Sequence, residues 1–365
     1  MIEEVCDKAE VRDRRSFFLS SRTHAWLRPL LIMLAAAAGA VIVVLARHTL
    51  AQSLHVLGAA SPGWLALALA AEAVSLTAFG LSRRRLLRAN GHRISLRRVM
   101  AVTYASNALS LSVPFAGTEL AVVYSYRQFR RAGLDAATTS WSLTVSWICS
   151  ASGLALLLAA GAVAGGAGAA SVAGFAGAAL YLLPGAGVLL ALRFDRARAV
   201  LRTVLARLAA LSKRAFGKPE GGGAGVDRFI DEVAGTRLPL PGYAWVSGLV
   251  VANWAFDCAA LAFAIRAMGV PVPWDDLLLV YGAGAAVGST GLTPGGFALV
   301  ELALTAALTA SGLHASKALA AVLAYRVVNF WLVLVAGWIA LGLLARPLPV
   351  RRRRRRPPPA GRGRP

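Results

Sequence analysis

Six stretches of this sequence run for about 17 to 28 residues with almost no charge, and that pattern admits few folds. A bilayer's hydrocarbon core is about 30 Å thick, so a helix that crosses it needs roughly 20 apolar residues. Clear spans lie at 30–46, 64–82, 137–161, 171–192, 241–266 and 318–345. All are rich in Ala, Leu, Val and Gly, as helices packed in lipid are. Composition agrees: 57% of the 365 residues are apolar and only 15% charged, against about 25% charged in a soluble domain. A disordered chain would be poorer in apolar residues. Cys6, Cys149 and Cys258 are too few and too scattered for a disulfide framework or a zinc site. The sequence therefore predicts an all-α, polytopic membrane protein.

Two further apolar regions, 99–126 and 276–312, are broken in the middle by Pro and Gly. The breaks read Ser112-Val113-Pro114-Phe115-Ala116-Gly117 and Gly291-Leu292-Thr293-Pro294-Gly295-Gly296. Basic residues fix how these regions run. The segments 1–28, 83–98, 127–131, 193–239 and the tail after 345 hold 35 of the 39 Lys and Arg. The segments 47–63, 162–170 and 267–275 hold only Arg47. The positive-inside rule places the first set, with both termini, in the cytoplasm. Six full spans satisfy this only if each broken region begins and ends on one side. Each is then a re-entrant hairpin or a pair of short helices. Arms of about 15 residues reach roughly 22 Å, short of a crossing, which favours hairpins. The first would enter from the cytoplasm and the second from outside. The first span, behind a 28-residue charged leader and with no clear cleavage site after it, is expected to be retained.

The two broken regions resemble each other. One reads Pro114, then Glu119-Leu120-Ala121, then Gly133-Leu134-Asp135-Ala136. The other reads Pro294, then Glu301-Leu302-Ala303, then Gly312-Leu313-His314-Ala315. The spacings differ, five residues against seven from Pro to Glu, and short matches arise by chance in Ala/Leu-rich sequence. A true repeat would be inverted, a common transporter plan with the substrate site near the midplane. Irregular backbone at that depth must face protein or a wet cavity.

The helix after each break is expected to start near Phe115 and near Phe297. Helix N-termini expose unpaired N–H groups and partial positive charge, which suit a phosphate or carboxylate. Gly117, Gly295 and Gly296 allow close backbone approach to a ligand. Ser110, Ser112, Thr118, Ser289, Thr290 and Thr293 add hydroxyls. Pro and Gly in packed membrane helices also serve simply as kinks. Intramembrane charge is the second signal, because a central charge costs roughly 2.5–3.5 kcal/mol on insertion scales. Glu72, Glu119, Asp257, Glu301 and Arg326 all fall in apolar stretches. Arg326 is expected to pair with Glu301, Glu119 or Asp257, or to hold a substrate phosphate. Glu119 and Glu301 are candidates for a driving proton or cation. Glu72, Asp257 and Asn107 are secondary candidates. Asn107, Asn253 and Asn329 also suit helix–helix hydrogen bonds.

The run Pro294-Gly295-Gly296-Phe297-Ala298-Leu299-Val300-Glu301, followed by Tyr325-Arg326 and Phe330-Trp331, resembles a known family. That family is the flippase-like integral membrane proteins related to the membrane region of lysylphosphatidylglycerol synthase. The stretch with Asn107, Pro114, Gly117 and Glu119 resembles its other signature. Similarity covers about 30–345. Ala298 stands where a Gly is common, a mild departure. The resemblance implies a multispan plasma-membrane protein. In antibiotic-resistance members this region is thought to flip aminoacylated phospholipid, and other members sit near lipid-linked glycan pathways. The soluble aminoacyltransferase domain of the two-part members is expected to be absent here, so lysyl transfer in cis is unsupported.

Three parts are thus expected: a basic leader 1–29, a transmembrane domain 30–345 with a cytoplasmic loop 193–239, and an Arg/Pro-rich disordered tail 346–365. In the loop, 196–216 is a basic amphipathic helix suited to an anionic leaflet. Arg351 to Arg356 in the tail suit the same surface, and nucleic acid is not the expected partner. There is no P-loop, no metal-ligand cluster and no visible nucleophile–base pair, so neither enzyme activity nor a cofactor is expected. The leading expectation is a transporter of an anionic, phosphate-containing lipid, either phospholipid or polyprenyl-phosphate. The rivals are a membrane subunit or enzyme of lipid-linked glycan or aminoacyl-lipid synthesis, and a scaffold.

Overall fold

A long helix, a two-armed hairpin and a second long helix follow one another twice along this chain. The computed structural model describes residues 58, 60–89, 91–165, 168–193, 203 and 238–345. The predicted span 30–46, the amphipathic helix 196–216 apart from residue 203, the leader and the tail lie outside the described residues. In the first copy, α1 is Pro62–Leu87, α2 Leu96–Ser112, α3 Gly117–Arg131 and α4 Ala136–Ala164. Helix α5, Ala169–Arg193, follows. In the second copy, α6 is Leu240–Ala267, α7 Leu277–Ser289 and α8 Leu299–Ala310. The last rod joins α9, Ala315–Arg326, through a π-helical segment Val327–Leu332 to α10, Val333–Ala345. No strand occurs among the described residues.

Four helices are long and apolar enough to cross a membrane: Pro62–Leu87, Ala136–Ala164, Leu240–Ala267 and Ala315–Ala345. They match the predicted spans 64–82, 137–161, 241–266 and 318–345. The predicted span 171–192 falls on α5, Ala169–Arg193. The predicted breaks fall where two arms fold back on each other, α2 on α3 and α7 on α8.

Helices α1 and α6 form the central seam. The Ser61 N–H donates to Ala267 O at 2.9 Å, and Asn253 Nδ2 donates to Ser75 Oγ at 2.7 Å. Further along, Gly242 lies beside the Arg85 guanidinium. These contacts descend one helix as they climb the other, an antiparallel register kept along the whole seam. Small buried residues, among them Ala68, Ala71, Ser75, Ala260 and Ala264, let the backbones approach.

The hairpins are seated across copies. Arm α2 packs on α10, where Gly337 faces the Tyr104 carbonyl and Ala108. Arm α7 packs on α4, where Gly161 faces Leu278 and Leu279. Each first arm therefore leans on the last long helix of the other copy, a reciprocal exchange.

Helix α4 is capped by Asp135, whose Oδ1 accepts from the Thr138 N–H at 2.7 Å while His92 bonds its other oxygen. Partial burial would push this carboxyl up. The Thr138 and His92 bonds outweigh it and hold Asp135 below the ordinary aspartate range. A lowered folded value gives stability that is present above the unfolded aspartate value, about 3.9, and lost as pH falls through the folded one. Asp135→Ala should cost about 1 kcal/mol at neutral pH, the usual worth of such a cap. The gap to wild type should close in acid, as read from thermal unfolding in detergent at several pH values.

Gly337→Ala offers a second check. Its new methyl meets backbone, so overpacking of about 1–3 kcal/mol should outweigh the helix-propensity gain of about 1 kcal/mol. At Gly342 nothing lies within 4 Å of the added carbon. Gly342→Ala should hold or raise the melting temperature where Gly337→Ala lowers it.

Candidate functional site

Each break holds a left-handed residue within two positions of the next helix, which forces that helix to begin late. Phe115 has φ 58° and Ala298 φ 66°. Non-glycine residues at such angles cost about 1–3 kcal/mol, and none continues a right-handed helix. Helices α3 and α8 consequently start at Gly117 and Leu299, two residues beyond the Phe115 and Phe297 starts expected from the sequence. Each helix carries a glutamate at its third position, Glu119 and Glu301, where a carboxylate favours the positive helix end. Aligned on these acids, Phe115-Ala116-Gly117-Thr118-Glu119-Leu120-Ala121 and Phe297-Ala298-Leu299-Val300-Glu301-Leu302-Ala303 agree at Phe, Ala, Glu, Leu and Ala without a gap. Counting spacing from the prolines hides this, because Pro294 opens a 3-10 turn, Pro294–Gly296, with no counterpart in the first break.

The hairpin tips meet. The Phe115 N–H donates to Gly291 O at 2.8 Å. At Gly117 a side chain would strike the Ser110 carbonyl, so glycine there lets the hairpin close on itself. At Gly295 (φ 55°) a side chain would strike the Phe330 ring and Leu111.

A cavity of about 390 Å³ opens where the tips meet. Its wall takes Ser110, Gly117, Thr118 and Glu119 from the first hairpin, and Thr293 and Gly295 from the second. The long helices add Asp257, Tyr325, Arg326 and Asn329. Arg326 is only 4% exposed; its Nε donates to Glu301 Oε1 at 2.7 Å and an Nη to Gly295 O at 2.9 Å. Its guanidinium stacks on the Phe330 ring with 4.4 Å to the centroid. Of the three acids the sequence offered Arg326, the fold selects Glu301. The arginine thereby staples the second break to the helix that follows it. Asp257 accepts from the Tyr281 and Tyr325 hydroxyls, each at 2.8 Å, and from Asn329 Nδ2 at 3.0 Å. Thr293 Oγ1 donates to Phe297 O at 2.9 Å, which closes the second break.

The apolar spans, the meeting breaks and the buried Arg326–Glu301 pair coincide with one family description. The chain matches the lysylphosphatidylglycerol synthase TM region over residues 30–337. It belongs to that family. Among individual curated proteins, none matches the chain. Within this lysylphosphatidylglycerol synthase TM region lie both hairpins and every cavity residue named above. Membership makes the chain a multi-pass membrane protein tied to lipid metabolism or transport.

The structure gathers Gly117, Glu119, Asp257, Thr293, Gly295, Tyr325 and Arg326 on one wall. Pro114, Pro294, Gly296, Glu301, Glu72 and Asn107 do not line it. Gly296 is buried against Val300 and Gly288, and Glu301 acts on the cavity through Arg326. Asn253 bonds across the α1–α6 seam, whereas Asn329 faces the cavity and its acids. Trp254, Tyr281 and the small residues Gly284, Ala285 and Gly288 also line the cavity. The sequence does not mark them, because nothing in an apolar helix distinguishes a cavity face from a packed one. The paired tyrosines around Asp257 are visible only in three dimensions.

Removing one partner of a buried ion pair typically costs about 3–5 kcal/mol, because the other charge is stranded. Glu301→Gln should therefore lower stability by that order. Glu301→Gln with Arg326→Gln should recover most of it. A thermal-unfolding double-mutant cycle in detergent reads the coupling, and strictly additive losses would show that the pair is not coupled.

Proposed function

We infer that this chain moves a phosphate-bearing lipid headgroup between leaflets through the cavity at the hairpin tips, without catalysis of its own. The observation that carries this reading is the Phe115–Gly291 contact, which brings both breaks to one polar cavity. If the basic segments are cytoplasmic, α2 and α3 enter from the cytoplasm and α7 and α8 from outside. The two copies are then inverted, and the reciprocal seating of α2 on α10 and α7 on α4 is what such symmetry produces. Arms of 12 to 17 residues reach about 18 to 25 Å and end inside the membrane as re-entrant hairpins. On this reading the protein sits in the plasma membrane with its basic loop and tail on the anionic cytoplasmic leaflet.

A cavity of this size holds a headgroup, while the acyl chains stay in lipid. The phosphate lies near Arg326 and the first turn of α3, whose N–H groups have no helical partner. Acid outnumbers base on the wall: Arg326 is matched by Glu301, and Asp257 and Glu119 remain. A headgroup that adds a cation or several hydroxyls to its phosphate fits this wall better than a bare phosphate monoester. Tip contacts that part on one side while closing on the other would give alternating access.

The test is leaflet exchange in vesicles reconstituted with the full chain. Tail-labelled phosphatidylglycerol and its aminoacylated form serve as probes, and a membrane-impermeant quencher reads the outer leaflet. Wild type should exceed protein-free vesicles. Arg326→Ala should slow exchange about tenfold or more, as loss of a charge-assisted contact implies. Glu119→Gln, at an exposed site where folding is safe, should slow the aminoacylated probe more than the parent lipid. Equal rates in wild-type and protein-free vesicles would sink the transport reading. A polyprenyl-phosphate retained through purification without exchange would favour presentation to a partner enzyme instead.

A further inference from the structure

One buried carboxyl, Glu72, lies off the cavity wall and has no part in the headgroup contacts above. Glu72 on α1 is 4% exposed, at the α1–α6 seam. Asp257 on α6 shares the Asn329 amide with it and reaches the cavity wall. Asn329, in the π-helical segment, donates to Asp257 at 3.0 Å and lies 3.5 Å from Glu72 Oε2. A π-helical turn inside a long helix commonly marks a functional position.

Two carboxylates in contact away from water do not both stay ionised, and a carboxyl–carboxyl hydrogen bond needs one proton between them. Asp257 has three donors, from Tyr281, Tyr325 and Asn329, so it is the member equipped to carry charge. Glu72 has only the long Asn329 contact, so the proton belongs on Glu72. The titratable and charged groups facing the pair are Tyr104 from α2, Cys258 beside Asp257, Tyr281 from α7, and Tyr325 and Arg326 from the last rod. Arg326 is the one cation among these, and Glu301 already matches it. No free positive charge among them would let both carboxyls ionise.

We propose that Glu72 and Asp257 form a proton-binding site at the α1–α6 seam, loaded from the cavity through Asp257, whose occupancy drives headgroup movement. A proton passes from cavity water to an Asp257 oxygen and across the hydrogen bond to Glu72; release reverses the path. Asp257 thus serves both the cavity and the seam, which links proton and headgroup. The coupling rests on the transport reading above, whereas the site itself does not.

Infrared titration of the purified full chain separates the two. Wild type should show the C=O stretch of a protonated carboxyl, shifted in deuterated water and lost as pH is raised. Glu72→Gln, which keeps the side chain's shape, should remove it, while Glu119→Gln, at an exposed position, should not. Asp257→Asn should move the pH at which the band is lost, because the partner charge is gone. The site is overturned by a band that does not depend on Glu72, by one that persists at every pH where the protein is folded, or by an unmoved titration in Asp257→Asn. In vesicles carrying the same labelled lipids, a pH gradient should change the wild-type exchange rate. In Glu72→Gln the rates with and without the gradient should become equal. A Glu72→Gln protein that responds like wild type would overturn the coupling. Wild type without exchange would instead sink the transport reading and leave the infrared result standing.

Discussion

The hydrogen bond from the Phe115 N–H to the Gly291 carbonyl is the contact on which the rest of the arrangement depends. Hydrocarbon offers no partner to a backbone group freed from its helix, so a broken helix cannot face lipid. Two breaks solve the problem by facing each other and lining a polar cavity in common. Once the tips must meet, the arms have to approach from different directions. The remaining helices must then hold them there, which explains the exchanged seating of α2 on α10 and α7 on α4. The continuous α1–α6 seam supplies a fixed axis against which both hairpins are placed.

Charge does the same positioning inside the cavity. Arg326 could not sit at 4% exposure unless several acceptors received it, and its partners come from both sides of one break: Gly295 before α8 and Glu301 within it. That fixes the second tip relative to the last rod. The first tip has no equivalent staple, since Glu119 is exposed and makes no ion pair among the described residues. The two hairpins therefore match in sequence and differ in restraint. An element held at one end and freer at the other is what a site needs if one tip is to move while the other keeps the ligand wall in place.

Much of this was legible in the sequence, for reasons of physics. Charge-free runs of span length are a direct print of bilayer thickness. The Pro and Gly clusters had to interrupt helices, and they do. The wall residues found by their charge or by their place in a break, such as Asp257, Arg326, Gly117 and Gly295, stand out because such groups are costly in an apolar stretch. What stayed hidden was pairing. Three acids were equally eligible for Arg326 by sequence, and only chain geometry chooses Glu301. The Phe-Ala-x-x-Glu-Leu-Ala match is masked because the prolines, the most conspicuous residues in each break, stand at different distances from the shared element. Tyr281 and Trp254 carry no signal in an apolar helix until the opposite wall is known.

Volume sets the last constraint. A cavity of about 390 Å³ cannot enclose a two-chain lipid, so any lipid it serves must leave its tails outside. The hairpin arms are shorter than the hydrocarbon is thick, and helices of this length leave part of the membrane depth to their neighbours. A headgroup that enters between short arms never has to carry its acyl chains through protein. On the transport reading proposed above, it would exchange water for the Arg326, Asp257 and α3 end of the cavity while the tails slide in lipid beside the arms. On that reading the cost of dragging a phosphate through hydrocarbon would be met locally, by a few polar groups that the fold has already desolvated and fixed.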